Sequence, residues 1–338
     1  MKHVFFVSSN LTFFIANKIV AIDNLNRNDC CLFLVRNYHV PQPYSSLYPH
    51  QIATDYNVEQ NVGRVFAGIN VCQTKRNIRI FDNLIDAFLQ GDDFIWYSSV
   101  CSNDICSLMV TKPNCKGYFV VEDGMASYRN YNPQTFTGWR YIVYKTLLKP
   151  CFPRIFEVKN YFITTDHPKF KGCIATSPQC FPLHQQYLRV IGFPFEPIVD
   201  AQHFDAIISI DPLYTYINNN AAKALFHNLT LFMAGKHYQT IAYKFHPRFN
   251  AANNQVYKNL YQSFITENLP HAVELDSSII LESLLAATKA DFYTYASSVV
   301  LYVNQVGVKS YSYMELLKDT PAYQPNELLE KYTIPIIL

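Results

Sequence analysis

The chain has 338 residues, 49% hydrophobic and 16% charged, with a net charge of +2. That length and apolar content suit two globular domains with sizeable cores and exclude a disordered chain. The charge is too balanced for nucleic-acid binding driven by bulk electrostatics, and no polybasic run occurs, so no nucleic-acid partner is expected.

The opening Met1–Asn10 has an apolar run, but Ser8, Ser9 and Asn10 interrupt it and no clean cleavage site follows, so a strand is expected and not an export signal. Phe14, Ile15, Ile19 and Ile22 then recur at helical spacing. Cys31–Val35 is a continuous apolar run and reads as a buried parallel strand. Residues 41–56, rich in Pro, Tyr and Ser, read as loop. Asn77–Phe81 is expected as a strand and Leu84–Leu89 as a helix, with further strands at Asp93–Tyr97 and Gly117–Val121. No stretch reaches the length of a membrane span. The nine cysteines (Cys30, Cys31, Cys72, Cys101, Cys106, Cys115, Cys151, Cys173, Cys180) are odd in number and lack CxxC or Cys/His ligand spacing. Free thiols in a reducing cytoplasm are expected, and no structural zinc.

Prolines cluster towards Phe193–Pro197, which places a domain connection there, with domains over 1–192 and 198–338. The second run opens with a strand at Asp205–Ile210, ending in Asp211-Pro212, and a helix over Asn218–Phe232. A strand at Tyr238–Phe245 follows, then helices over Asn254–Glu267 and Ser277–Leu285, the latter capped by Ser277 or Ser278. Phe292–Ala296 reads as a strand, and a helix is expected just after Ser297-Ser298. Strands alternating with helices argue for doubly wound α/β domains, whose ligands bind beyond the carboxyl ends of the strands.

Four features fall at such strand ends or helix starts: Glu122-Asp123-Gly124, Lys244-Phe245-His246-Pro247, Glu282 early in its helix, and Ser297-Ser298. Taken singly, each has an ordinary structural reading: a solvated Asp-Gly turn, a strand-end lysine, a helix-dipole glutamate, a loop serine pair. Their ordered set resembles the bacterial sialyltransferases, which carry an acidic-acidic-Gly motif, an HP motif, an acidic residue in an E-x-L helix and a serine pair. Val4–Leu11 followed by a helix is similar to the start of the lipooligosaccharide sialyltransferase family, whose near neighbours are the bacterial polysialyltransferases. A second His-Pro, His167-Pro168, is set aside because no acidic helix and serine pair follow it at suitable spacing.

The resemblance implies a GT-B architecture, two Rossmann-like domains facing across a cleft, and an inverting, metal-independent sialyltransferase using CMP-sialic acid as donor. No D-x-D motif is present, in keeping with that. His246 would donate to the leaving phosphate, Ser297 and Ser298 would bind it, and Lys244 would reach the phosphate or the cytosine. Pro247 completes the donor-binding HP motif, and Glu282 would accept from the ribose hydroxyls. Glu122 is the favoured base, with Asp123 holding the turn or the acceptor, and Asp211 competes for the same role. The implied acceptor is a galactose-terminated glycan such as lipooligosaccharide. The implied location is cytoplasmic, in peripheral contact with the inner face of the bacterial inner membrane. Another nucleotide-sugar donor, or a relative that binds without catalysis, are the alternatives. The apolar tail Ile334–Leu338 is expected on the first domain, with a homodimer interface as the other use for it.

Overall fold

The computed structural model describes residues 1–54, 71–99, 104–130, 139–158, 163–320, 323 and 325–336. It divides into two compact units, Met1–Pro194 and Phe195–Leu338.

The first unit holds β1 (Lys2–Val7), β2 (Cys30–Leu34), β3 (His50–Ala53), β4 (Phe94–Ser98), β5 (Cys115–Val121), β6 (Phe170–Ala175) and β7 (Leu188–Val190). They form one sheet in the order β3-β2-β1-β4-β5-β6-β7, and every neighbouring pair is parallel. β2 and β4 are buried at every residue, as continuous apolar runs in a two-sided parallel sheet require. Between them pack α1 (Asn10–Ile22), α2 (Val71–Leu89), α3 (Asp104–Thr111) and α4 (Trp139–Leu148). α1 starts on a capping box in which Ser9 and Thr12 exchange side-chain and backbone hydrogen bonds.

Two local expectations change here. Asn77–Phe81 is helix, the middle of α2: Ile78, Phe81, Ile85 and Leu89 are all buried on one face. The short N-I-R-I-F window alternates like a strand, but the longer window has the helical period, and that period wins. β3 lies inside the expected loop; it is an exposed edge strand with no apolar run to announce it. Residues 55 and 56 of that loop lie outside the described residues.

The second unit holds β8 (Ala206–Ile210), β9 (Ile241–Phe245), β10 (Val273–Glu274), β11 (Asp291–Thr294) and β12 (Ser310–Ser312), all parallel, in the order β10-β9-β8-β11-β12. Its helices are α5 (Asn219–Ala234), α6 (Gln255–Asn268), α7 (Leu281–Thr288), α8 (Val299–Val303) and α9 (Glu327–Glu330). One apolar core joins Ile208, Ile210, Leu225, Phe226, Phe249, Tyr261 and Tyr293 across the strands, α5 and α6. Phe195, 3% exposed, packs on Tyr302 with ring centroids 5.9 Å apart, which ties the connecting segment to this unit.

Two further expectations are corrected. α7 begins at Leu281 and has no side-chain cap; Ser278 instead donates through its N–H and hydroxyl to Asp276, closing a turn upstream. The tail joins the second unit, not the first: Ile334 bridges to Tyr311, its N–H donates to Ser310 O at 2.7 Å, and Ile336 enters the second core. The unpaired outer edge of β12 offers those backbone partners directly. Residues 337 and 338 lie outside the described residues.

Seven cysteines are free thiols, six of them buried. Burial pushes Cys31 and Cys173 up to about 12, so they behave as apolar fillers. Cys101 lies outside the described residues, as does the side chain of Cys72. Among the described residues no helix is long and apolar enough to cross a membrane, and no group of three His, Cys, Asp or Glu side chains is placed to hold a metal.

Candidate functional site

In each sheet the strand order reverses direction between two central strands. In the second unit that switch lies between β8 and β11, and crossovers leave on opposite faces there, opening a crevice at the carboxyl ends. Asp211 directly follows β8, His246 directly follows β9, and the segment Tyr295–Ser298 directly follows β11. Chain direction in a parallel sheet therefore brings them to one edge, and the His246 N–H donates to Ile210 O at 3.0 Å, fixing the two strand ends side by side.

Asp211 is 4% exposed and holds the β11 loop. Its Oδ2 accepts from Thr294 Oγ1 at 2.9 Å, Tyr295 N at 2.9 Å and Ala296 N at 3.1 Å. Burial pushes its carboxyl above the usual range, opposed by those donors and by the charge of His246. Thr294 passes the order on, since its Oγ1 also accepts from Ser297 N at 3.0 Å. Ser297 Oγ accepts from Val299 N at 3.3 Å, which leaves its own proton to donate. Thr294 was missed by reading the sequence; its signal is a single non-aromatic residue inside the aromatic run Phe292–Tyr295.

His246 is half-buried and caps the short turn that Pro247 starts. Its Nδ1 accepts from Arg248 N at 3.1 Å, so the neutral ring carries its proton on Nε2. Burial lowers its pKa; the Asp211 charge opposes this, while Arg248 and Lys244 reinforce it. His167-Pro168 makes the same local turn, with Nδ1 accepting from Lys169 N at 3.2 Å. It precedes β6, however, and so lies at the amino edge of the first sheet, against Tyr118.

Lys244 and Glu282 influence each other through their charges. The buried Lys244 ammonium donates to Ile279 O, just ahead of α7, and the Glu282 charge acts on it. Burial lowers the Lys244 pKa and raises that of Glu282, and each charge offsets part of the other's shift.

In the first unit Glu122 directly follows β5 and has 0% exposure. Its Oε2 accepts from Thr176 N at 2.7 Å and Thr176 Oγ1 at 2.8 Å, a bridge to the end of β6. Burial raises its pKa against those donors. Asp123 is half-buried; its N–H donates to Ser127 Oγ at 2.8 Å, and Gly124 turns the chain at φ 62°. The structure thus brings together Asp211, His246, Pro247, Ser297 and Ser298, sets Lys244 and Glu282 beside them on β9 and α7, and carries Glu122 and Asp123 on the other unit.

Neither a family model nor a curated protein matches the chain. Solved structures do. A Listeria monocytogenes protein described as a UDP-N-acetylglucosamine 2-epimerase has 9% identity over 92% of this chain and 78% of its own, with a TM-score of 0.51. The UDP-GlcNAc 2-epimerase of Methanocaldococcus jannaschii, in complex with UDP-GlcNAc and UDP, has 8% identity over 95% of this chain and 88% of its own, with a TM-score of 0.50. A sialyltransferase from Photobacterium damsela has 11% identity over 98% and 80%, with a TM-score of 0.49. The first two carry the fold: two parallel-sheet α/β domains of the GT-B type.

Proposed function

We propose that the chain is a nucleotide-sugar-dependent glycosyltransferase, and that its donor is CMP-sialic acid, transferred with inversion to a galactose-terminated glycan such as lipooligosaccharide. The observation that carries this reading is the gathering of Asp211, His246-Pro247 and Ser297-Ser298 at the switch point of the second sheet. In this reading the Nε2–H of His246 and the two serine hydroxyls serve as donors to a single phosphate.

In the proposed reaction the acceptor hydroxyl attacks the anomeric carbon. The bond from that carbon to the phosphate oxygen breaks, and CMP leaves with the electron pair. His246 donates from Nε2–H to the departing phosphate, and the hydroxyls of Ser297 and Ser298 donate to its other oxygens. The acceptor proton passes to a carboxylate of the first unit. Glu122, the base favoured by its position in the motif, has no exposed surface, and its Oε2 is taken by Thr176. The proposal therefore moves the base to Asp123, with Glu122 anchoring the turn that presents it. Asp211, spent on three donors, orders the phosphate loop. Lys244 is assigned to the phosphate or the cytosine, and Glu282 to the ribose. The residues named need no metal, and the site belongs in the cytoplasm, where CMP-sugars are made available to a membrane-associated acceptor.

The second reading keeps the site and changes the donor to a UDP-sugar; the Methanocaldococcus structure, bound to UDP-GlcNAc and UDP, makes those the comparison ligands. Thermal shift with CMP, CMP-sialic acid, UDP and UDP-GlcNAc separates the readings, because a ligand that binds only the folded chain raises its apparent stability. Stabilisation by the cytidine ligands followed by sialyl transfer supports the first. A response to UDP-GlcNAc alone sinks it.

A further inference from the structure

α4 is apolar on two sides. Leu148, 1% exposed, packs inward. On the outer side Trp139, Ile142, Val143 and Leu147, spaced to share one face, are 62%, 63%, 37% and 40% exposed. A helix apolar on two opposite sides is expected to be covered on both. Between Gly124 and Phe156 the sequence has five basic residues (Arg129, Arg140, Lys145, Lys149, Arg154) and no acidic one. α2 packs against α4 and extends the surface: Ile80 and Leu84 are 43% and 41% exposed, and the Arg79 guanidinium lies 6.0 Å from the Phe152 ring. The acids of α2 are drawn off to another partner, since Asp82 and Asp86 both pair with Lys112, at 2.5 and 2.8 Å.

We infer that the outer face of α4, with the adjoining face of α2, docks the protein on an anionic lipid bilayer. Charge complementarity selects that occupant: a tryptophan and aliphatic side chains on one helical face, in a stretch whose charged residues are all basic, match the headgroup boundary of a negatively charged leaflet. A second copy of the chain would meet the same cations with cations. The inference does not depend on which nucleotide sugar the second unit takes.

The test uses the intact protein and two vesicle preparations, phosphatidylcholine alone and phosphatidylcholine with phosphatidylglycerol. Of the two tryptophans, Trp96 is 0% exposed, so a blue shift of emission on binding reports Trp139. Sedimentation with the phosphatidylglycerol vesicles is expected, weakening as salt shortens the screening length. The blue shift should vanish in Trp139→Phe while sedimentation persists. Lys145→Gln with Lys149→Gln should weaken partition roughly tenfold or more, at about fivefold per cation, and Ile142→Ser with Leu147→Ser should do likewise. Equal binding to both vesicles, or unchanged binding in both double variants, overturns the inference. So does a wild-type protein that ignores vesicles and forms a dimer that Ile142→Ser with Leu147→Ser splits, because the face would then belong to a second copy.

Discussion

In the proposed reaction His246 meets the phosphate through one nitrogen only. Arg248 N–H occupies Nδ1, and burial with two neighbouring cations keeps the ring neutral, so Nε2–H is a fixed donor before any anion arrives. His246→Ala should therefore lower transfer by about 10²–10⁴-fold with the fold intact, and His246→Gln should fall less, because an amide still donates. His167→Ala, changed at the amino edge of the other sheet, should leave transfer near wild type. Steady-state rates with circular dichroism check all three; an active His246→Ala and a dead His167→Ala would reverse the choice of motif. Asp211 makes a pH prediction. Its carboxyl is pushed above the ordinary range, so as pH rises past about 4 the folded chain holds a proton the unfolded chain has lost. Stability linked to this group then falls with rising pH. Asp211→Asn lacks the titration, so the margin of wild type over the variant should shrink from pH ~4 upward. A margin that grows over that range, measured by denaturant unfolding, would mean the carboxylate is held ionised.

The β11 loop is built as a chain of orders: Asp211 sets Thr294, Thr294 sets Ser297, and Ser297 sets the first turn of α8. Changing Ser297 and Ser298 together to Ala should raise the apparent donor constant more than it changes acceptor use, because both hydroxyls face only the leaving phosphate in the proposed reaction. Initial-rate kinetics varying one substrate at a time would show it, and an unchanged donor constant in a folded double variant would make the pair structural. Much of this element was legible in advance, because His-Pro ends a ladder and Ser-Ser precedes an apolar helix wherever the strands lie. What was not legible depended on partners distant in sequence. Nothing near Asp211 says that Thr294 and two backbone N–H groups will consume its acceptor. Nothing near Glu122 says that Thr176 will enclose it. Local windows failed for the opposite reason, being too short. Asn77–Phe81 alternates over five residues, and only the run to Leu89 shows the helical face. β3 has no apolar run at all, since an exposed edge strand needs none.

At the scale of the whole molecule, two parallel sheets with separate cores make two units, each with its own switch point. Doubly wound α/β domains followed from the alternation of strands and helices, and the GT-B type from the resemblance that the ordered motifs carry. The docking of the tail did not, because an apolar pentapeptide fits any open edge, and β12 supplies one within its own unit. The division of labour predicts where a donor nucleotide will act. A ligand at 100 times its Kd stabilises the state it binds by about 2.7 kcal/mol, and that gain is spread over the cooperative unit that forms the site. CMP should therefore slow amide exchange most at residues 206–211, 241–248 and 291–303, the strand ends and the loop that Asp211 orders. The central strands β1, β4 and β5 of the first unit should exchange at their unliganded rates. Hydrogen exchange read by mass spectrometry, with UDP as a parallel sample, resolves these segments directly. Protection centred on residues 118–128 would put the nucleotide beside Asp123 in the first unit. His246 and the serine pair would then be structural, and the assignment of the donor site to the second sheet would fall with them.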